Sequence, residues 1–309
     1  MKGEAVLYGI AGVGLTLLLF LSTHWLGPVG AFTNMLTAVP ICYLVMRFGL
    51  PAGILAVLMS TAALSVLAGN AVLTSYLGLF IVPSLLLPSL LKRGWPWDRA
   101  LLVSGMVTLL LAGTLLMSYI LLSGQEANAL IDGYLNAEVD MAMQAYAEAG
   151  FDASQIAELK DVAAQVAVFI RKTFVGLYAA GVLVIHLVTL LFLQRFKKEQ
   201  YQIAGSAFSQ WRLPALLIWL LIVAGFSLLV PLPELALLGR NLLAVLLPLY
   251  FVQGLAIVSC FLQRKKWPPA LKGLIYVLVF LLNPLPLVVT GVGVFDLWVD
   301  FRRPRKKDL

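Results

Sequence analysis

Residues 283–309 read NPLPLVVTGVGVFDLWVDFRRPRKKDL, an apolar run with two early prolines that closes on five basic residues among the last eight. Which side of a membrane that basic end occupies decides how the whole chain is threaded. Pro284 and Pro286 each lack a backbone N–H and interrupt a helix. They divide the apolar block at 271–295 into halves of roughly twelve residues, whereas a hydrocarbon core of ~30 Å takes about 20 helical residues to cross. Two readings follow: a re-entrant hairpin that returns to the side it left, or a kinked ninth span.

Working outward, eight further apolar blocks precede this one, at 5–26, 31–46, 50–69, 72–91, 100–122, 169–194, 213–231 and 240–262. Hydrophobic residues make up 61% of the 309 and charged ones only 12%, against about a quarter charged in a soluble domain. The expected fold is therefore all-α: a polytopic transmembrane helical bundle of eight spans plus the Pro-broken C-terminal segment. The N-terminal block has a basic start but no small-residue cleavage pattern, and reads as a retained first span. The net charge of +7 sits in short connectors between apolar runs. That placement points to lipid head groups as the acidic partner and excludes a soluble nucleic-acid-binding surface.

The connectors also orient the chain. With a cytoplasmic N-terminus, Lys2, Arg47, Lys92, Arg93, Arg99, Arg195, Lys197, Lys198, Arg212, Arg264, Lys265, Lys266 and Lys272 fall inside. Only Lys160, Arg171, Lys172 and Arg240 fall outside. Cytoplasmic loops carry the excess of Lys and Arg, so this orientation is expected, in a bacterial cytoplasmic (inner) membrane. A straight ninth crossing would then expose the basic tail on the outer side. Re-entry avoids that, provided the broken backbone is buried against protein.

The exception to short connectors is 123–168, which holds eight of the fifteen acids. Ile131, Leu135, Val139, Ala142 and Tyr146 recur at helical spacing. Gly150 offers a stop, and Asp152 with Gln155 offers a capping-box start. An extracytoplasmic helical hairpin is expected, its second arm running unbroken into the sixth span. The chain thus divides into a five-span front bundle (1–122), the acidic hairpin (123–168), and a rear bundle with broken segment and basic tail (169–309).

Catalytic tools are absent from this pattern. The spans confidently placed hold no Asp or Glu, no Walker loop occurs, and the expectation is no enzyme, no cofactor and no metal site. Cys42 and Cys260 lie inside apolar blocks without a ligand cluster. His24 lies beside Trp25 at a span end and reads as an interfacial anchor; His186, mid-span, reads as a buried, hydrogen-bonded histidine. The remaining polar groups are candidates for binding: Asn34, Asn70, Arg240, Asn241 and Gln253. Arg240 draws notice because the charge rule disfavours an outer cation, so either an anionic ligand or Glu234 would retain it. Asn34, Asn70 and Arg240 are expected to face one outward cavity, though each amide also suits plain helix–helix hydrogen bonding. At the end, Phe295, Trp298 and Phe301 recur every third residue beside Asp296, Asp300, Arg302 and Arg303. This fits an interfacial helix that anchors to the membrane or docks a cytoplasmic partner.

With those residues in view, the chain resembles the YybS-like family of bacterial membrane proteins. TNMLTAVPICYLVMRFGLPAGILA near the front, the acidic insert, LYFVQGLAIVSCFLQRKK and GVFDLWVDFRR carry the likeness. It implies an inner-membrane location and no particular activity. The front part also looks like the ligand-binding membrane subunits of energy-coupling-factor vitamin transporters, with GPVGAFTN in the connector that helps cover the ligand there. That likeness implies a small-molecule ligand and a separate energising protein partner. The expected function is small-molecule binding or transport without an ATPase of its own, the ligand being held in an outward cavity of the front bundle. The alternative is a scaffold that recruits regulatory partners through hairpin and tail.

Overall fold

The structure, a computed structural model, describes residues 2–26, 28–195, 203–265 and 267–303. Lys197, Lys198, Lys266 and the tail after Arg303 lie outside the described residues, as do the side chains of His24 and Asn70. Twelve α-helices and one 3-10 turn make up the described chain, with no strand among them. The protein is an all-α helical bundle, as composition requires.

Seven helical stretches are long and apolar enough to cross a membrane. They are α1 (Lys2–Leu26), α2 with α3 (Pro28–Asn34 and Val39–Phe48), α4 (Leu50–Leu67), α5 (Asn70–Lys92), α6 (Trp97–Ser123), α8 (Ala153–Arg195) and α10 (Pro233–Arg264). The block at 31–46 is two helices joined by tight turns, Thr37 N–H to Asn34 C=O and Val39 N–H to Leu36 C=O. The block at 213–231 departs from the expected span: it forms only the 12-residue α9 (Leu216–Ser227). Irregular chain precedes it, because Pro214 can neither donate a bond nor leave Leu213 helical.

The chain packs as two compact units. One holds residues 1–127 and 181–205; its core joins α1, α3 and α4 through Val13, Ile41, Leu44, Ala56 and Val57, with Ile81 and Leu85 of α5 packed against them. The other holds 128–180 and 206–309. The 43-residue α8 is continuous and contributes to each. The acidic insert is a helical hairpin. Helix α7 (Ala127–Glu148) ends at Gly150, whose φ of +89° favours glycine. The capping box then closes in both directions: Gln155 N–H donates to Asp152 Oδ1 (2.9 Å) and Asp152 N–H to Gln155 Oε1 (3.1 Å).

In the second unit, α11 (Pro269–Leu281) and α12 (Leu285–Val299) meet at a bend of 101°. Three contacts decide where the chain goes next. Ile275, Tyr276 and Val279 of α11 share one apolar cluster with Leu255 and Val258 of α10 and Val289 of α12. Gln253 donates to Gly293 C=O (2.9 Å) midway along α12. Beyond α12, the Arg302 carbonyl accepts from Arg264 at the C-terminal end of α10. Residue 302 therefore lies beside residue 264, at the end of α10 from which α11 departed. The broken segment leaves and returns at the same end of α10, the path of a re-entrant hairpin. Helix α12 lies tightly on α10. A Cβ added at Gly254 would strike the Val289 carbonyl, and one at Gly293 the Tyr250 carbonyl.

Candidate functional site

Candidate residues gather at the two ends of α10. At the Arg264 end stands a polar clasp. The 3-10 turn Phe208–Gln210 and the irregular chain that follows it to Leu213 approach α10 there, and such backbone inside a bundle requires partners from protein. Arg302 Nη1 donates to Trp211 C=O (2.7 Å) and Ser209 C=O (3.2 Å). Gln253 Oε1 accepts from Leu213 N–H (2.8 Å), while its Nε2 serves Gly293. Ser209 donates to Gln263 (3.0 Å). Asp296, 1% exposed, faces Arg302 at 3.3 Å and Arg212 at 3.9 Å. Asp300 pairs with Arg212 and Arg303. Burial would raise the Asp300 carboxyl, but hydrogen bonds from Arg212 and Arg303 outweigh it and hold it below the ordinary carboxylate range. Trp298 and Phe295 point away, mostly exposed, with ring centres 6.0 Å apart. Sequence-selected Gln253, Asp296, Asp300, Arg302 and Arg303 thus meet in one network that fastens the re-entrant hairpin to α10.

At the other end, α8 meets α10 through Asn241. Its Oδ1 accepts from Gly176 N–H (2.8 Å) and its Nδ2 donates to Lys172 C=O (2.9 Å) and Leu237 C=O (2.8 Å). The clamp needs close backbones, and Gly176 permits them: a Cβ there would collide with Asn241 main chain. It sets Lys172 of α8 beside Arg240 of α10. Together with the turn at 228–233 they line an open recess of about 600 Å³, within the ordinary range for small ligands. The other lining residues are apolar, among them Leu228, Val230, Pro231, Leu232 and Leu237. Arg171 is spent on Asp132 (3.0 Å), which ties α7 to α8. Lys172 and Arg240 have no ion-pair partner among the described residues, and Glu234 pairs with neither. Sequence reasoning chose Arg240 and Asn241 but passed over Lys172. The signal for it was available, since Lys172 and Arg240 are two of the four cations that the expected orientation leaves on the disfavoured side.

Asn34 belongs to the other unit, where its Nδ2 donates to Phe20 C=O (2.9 Å) and ties α2 to α1. His186, fully buried, is held between helices of that same unit. Its Nδ1 lies 2.8 Å from Val182 C=O and its Nε2 2.9 Å from Ser104 Oγ. Val182 accepts, so Nδ1 carries the proton and the Ser104 hydroxyl donates to Nε2. This is the satisfied mid-span histidine that the sequence suggests. Among the described residues no three His, Cys, Asp or Glu side chains group as metal ligands.

Fold and charge placement together define a polytopic helical integral membrane protein whose environment is the lipid bilayer. The chain belongs to the predicted membrane protein family DUF2232, whose family model matches residues 14–297. No curated protein and no solved structure matched the chain.

Proposed function

We propose that this protein is a membrane-embedded binding protein for a small organic anion, taken up at the Lys172–Arg240 recess. One observation carries the reading: two cations without counter-charges stand together in an apolar-lined hollow. Arg240 is half-buried there, and an anion would offset part of its desolvation, while the exposed Lys172 adds a second charge at the mouth. In the expected orientation both residues lie on the outer side, which the charge rule disfavours, and this supports retention by a ligand. The protein would carry no ATPase and perform no covalent chemistry, and any translocation would draw energy from a separate partner. In this reading the membrane is a bacterial cytoplasmic one, the N-terminus is cytoplasmic, and the recess opens outward.

The test is mass spectrometry of compounds released from gently purified protein. An anion released from wild type but not from a Lys172→Gln/Arg240→Gln variant of equal thermal stability supports the reading. Equal release from both, or none from either, defeats it. A scaffold role is favoured by a different observation, the exposure of α7, where only Leu135 is buried. Recovery of one stoichiometric protein partner that is lost on deleting 127–150, with no anion released, would select that reading.

A further inference from the structure

Resting on that reading, we infer that the recess selects an anionic lipid, with its phosphate at Lys172 and Arg240 and its acyl chains along the apolar wall. The argument is one of donors and surface. A sugar or nucleotide needs several polar partners, but Lys172 and Arg240 are the only polar side chains in the lining. Pro231 and Pro233 remove two backbone donors from the turn that forms the floor. The Asn241 side chain, next to Arg240, is committed to main-chain groups of α8 and α10. What remains is a doubly cationic point on an apolar slope, which matches a phosphodiester followed by hydrocarbon.

The approach to the recess has the same character. Leu229, Leu232 and Leu237 beside it are 77%, 50% and 47% exposed. An apolar rim of that kind is continuous with the lipid-facing sides of α9 and α10, so a ligand arrives laterally from the leaflet. Arg240 is half-buried and rigidly placed by its neighbour's clamp, while Lys172 is exposed and can swing its ammonium toward a head group. A soluble anion would gain only the two charges. A lipid gains the charges and the apolar wall together.

The experiment uses full-length protein stripped of lipid in a neutral detergent and examined by native mass spectrometry and thermal shift. Probes are phosphatidylglycerol, phosphatidylcholine and glycerol phosphate. The expected result is one retained phosphatidylglycerol, preferred at least tenfold over phosphatidylcholine, and not displaced by millimolar glycerol phosphate. Lys172→Gln/Arg240→Gln should abolish the preference, and Arg240→Lys should keep part of it. Should the double variant fail to fold, Leu237→Trp fills the apolar wall with both cations intact and should also abolish retention. Displacement by glycerol phosphate as effective as by the lipid would overturn the lipid assignment while leaving an anion site standing. Equal retention of phosphatidylcholine would overturn it likewise. Failure of every anion to bind would end both proposals.

Discussion

At the residue scale, polar side chains inside this bundle serve backbone that a helix cannot satisfy. Gln253 is the clearest case: one amide bonds the irregular chain at Leu213 and the re-entrant helix at Gly293. Gln253→Leu keeps the volume and strands both groups. Each buried group left without a partner costs about 1–3 kcal/mol. The variant should therefore unfold several degrees earlier in detergent, and Gln253→Glu, which loses the donor to Gly293 and buries a carboxyl group, should not rescue it. Equal melting of Gln253→Leu and wild type would refute this role. The Asp300 pair adds a pH term of definite sign. Its folded carboxyl titrates below the unfolded one, so the stabilisation is present above the unfolded value and disappears as pH falls through the folded one. Wild type should melt above Asp300→Asn at neutral pH, and the gap should close as pH falls well below the ordinary Asp value near 3.9. A gap that persists at pH 2 would show that the ion pairs are not its source.

At the element scale, close helix contact depends on particular glycines, and two in α12 make a matched experiment. Gly293 faces the α10 backbone and has no room for a methyl group, whereas Gly291 has open space around its missing Cβ. Gly293→Ala should destabilise by ~1–3 kcal/mol through forced displacement. Gly291→Ala should be neutral or favourable, since Ala suits a helix better by about 1 kcal/mol. Differential scanning fluorimetry of the two variants side by side reads the contrast, and equal effects would contradict the tight α10–α12 packing. The sequence marks Pro284 and Pro286 as a break but cannot aim the two halves. Aim comes from contacts between distant residues, Gln253 with Gly293 and Arg264 with Arg302, which periodicity does not encode. The hairpin was legible for the opposite reason: Gly150, Asp152 and Gln155 act on near neighbours, and their spacing fixes the geometry. The shortness of α9 was hidden because its block is uniformly apolar, and hydropathy registers composition more strongly than the break at Pro214. Among site residues, Arg240 stood out by being on the wrong side. Its partner Lys172 was masked by adjacent Arg171, whose pairing with Asp132 only the fold reveals.

On the scale of the whole molecule, the threading follows from contacts within the second unit combined with the charge pattern. Asn241 binds α8 at Lys172 and Gly176, so the hairpin arm of α8 lies at the end where α10 begins. Arg264, 23 residues further on, lies ~35 Å away at 1.5 Å per residue, more than the ~30 Å core. The Arg302 carbonyl is at that far end, in contact with Arg264. Reporters fused after Lys265 and after Leu309 should therefore share a compartment, and one inserted at 149–151 should occupy the other. In the orientation proposed above, the shared compartment is the cytoplasm. A ninth crossing would instead separate the reporters after Lys265 and Leu309. Alkaline phosphatase and green fluorescent protein fusions give complementary signals at each position, so all three placements can be read from activity and fluorescence in intact cells. If the reporter after Leu309 shares its side with the 149–151 insert, the re-entrant hairpin is wrong. If all three report the predicted pattern, the recess opens outward and its anion must come from that leaflet or from outside the cell.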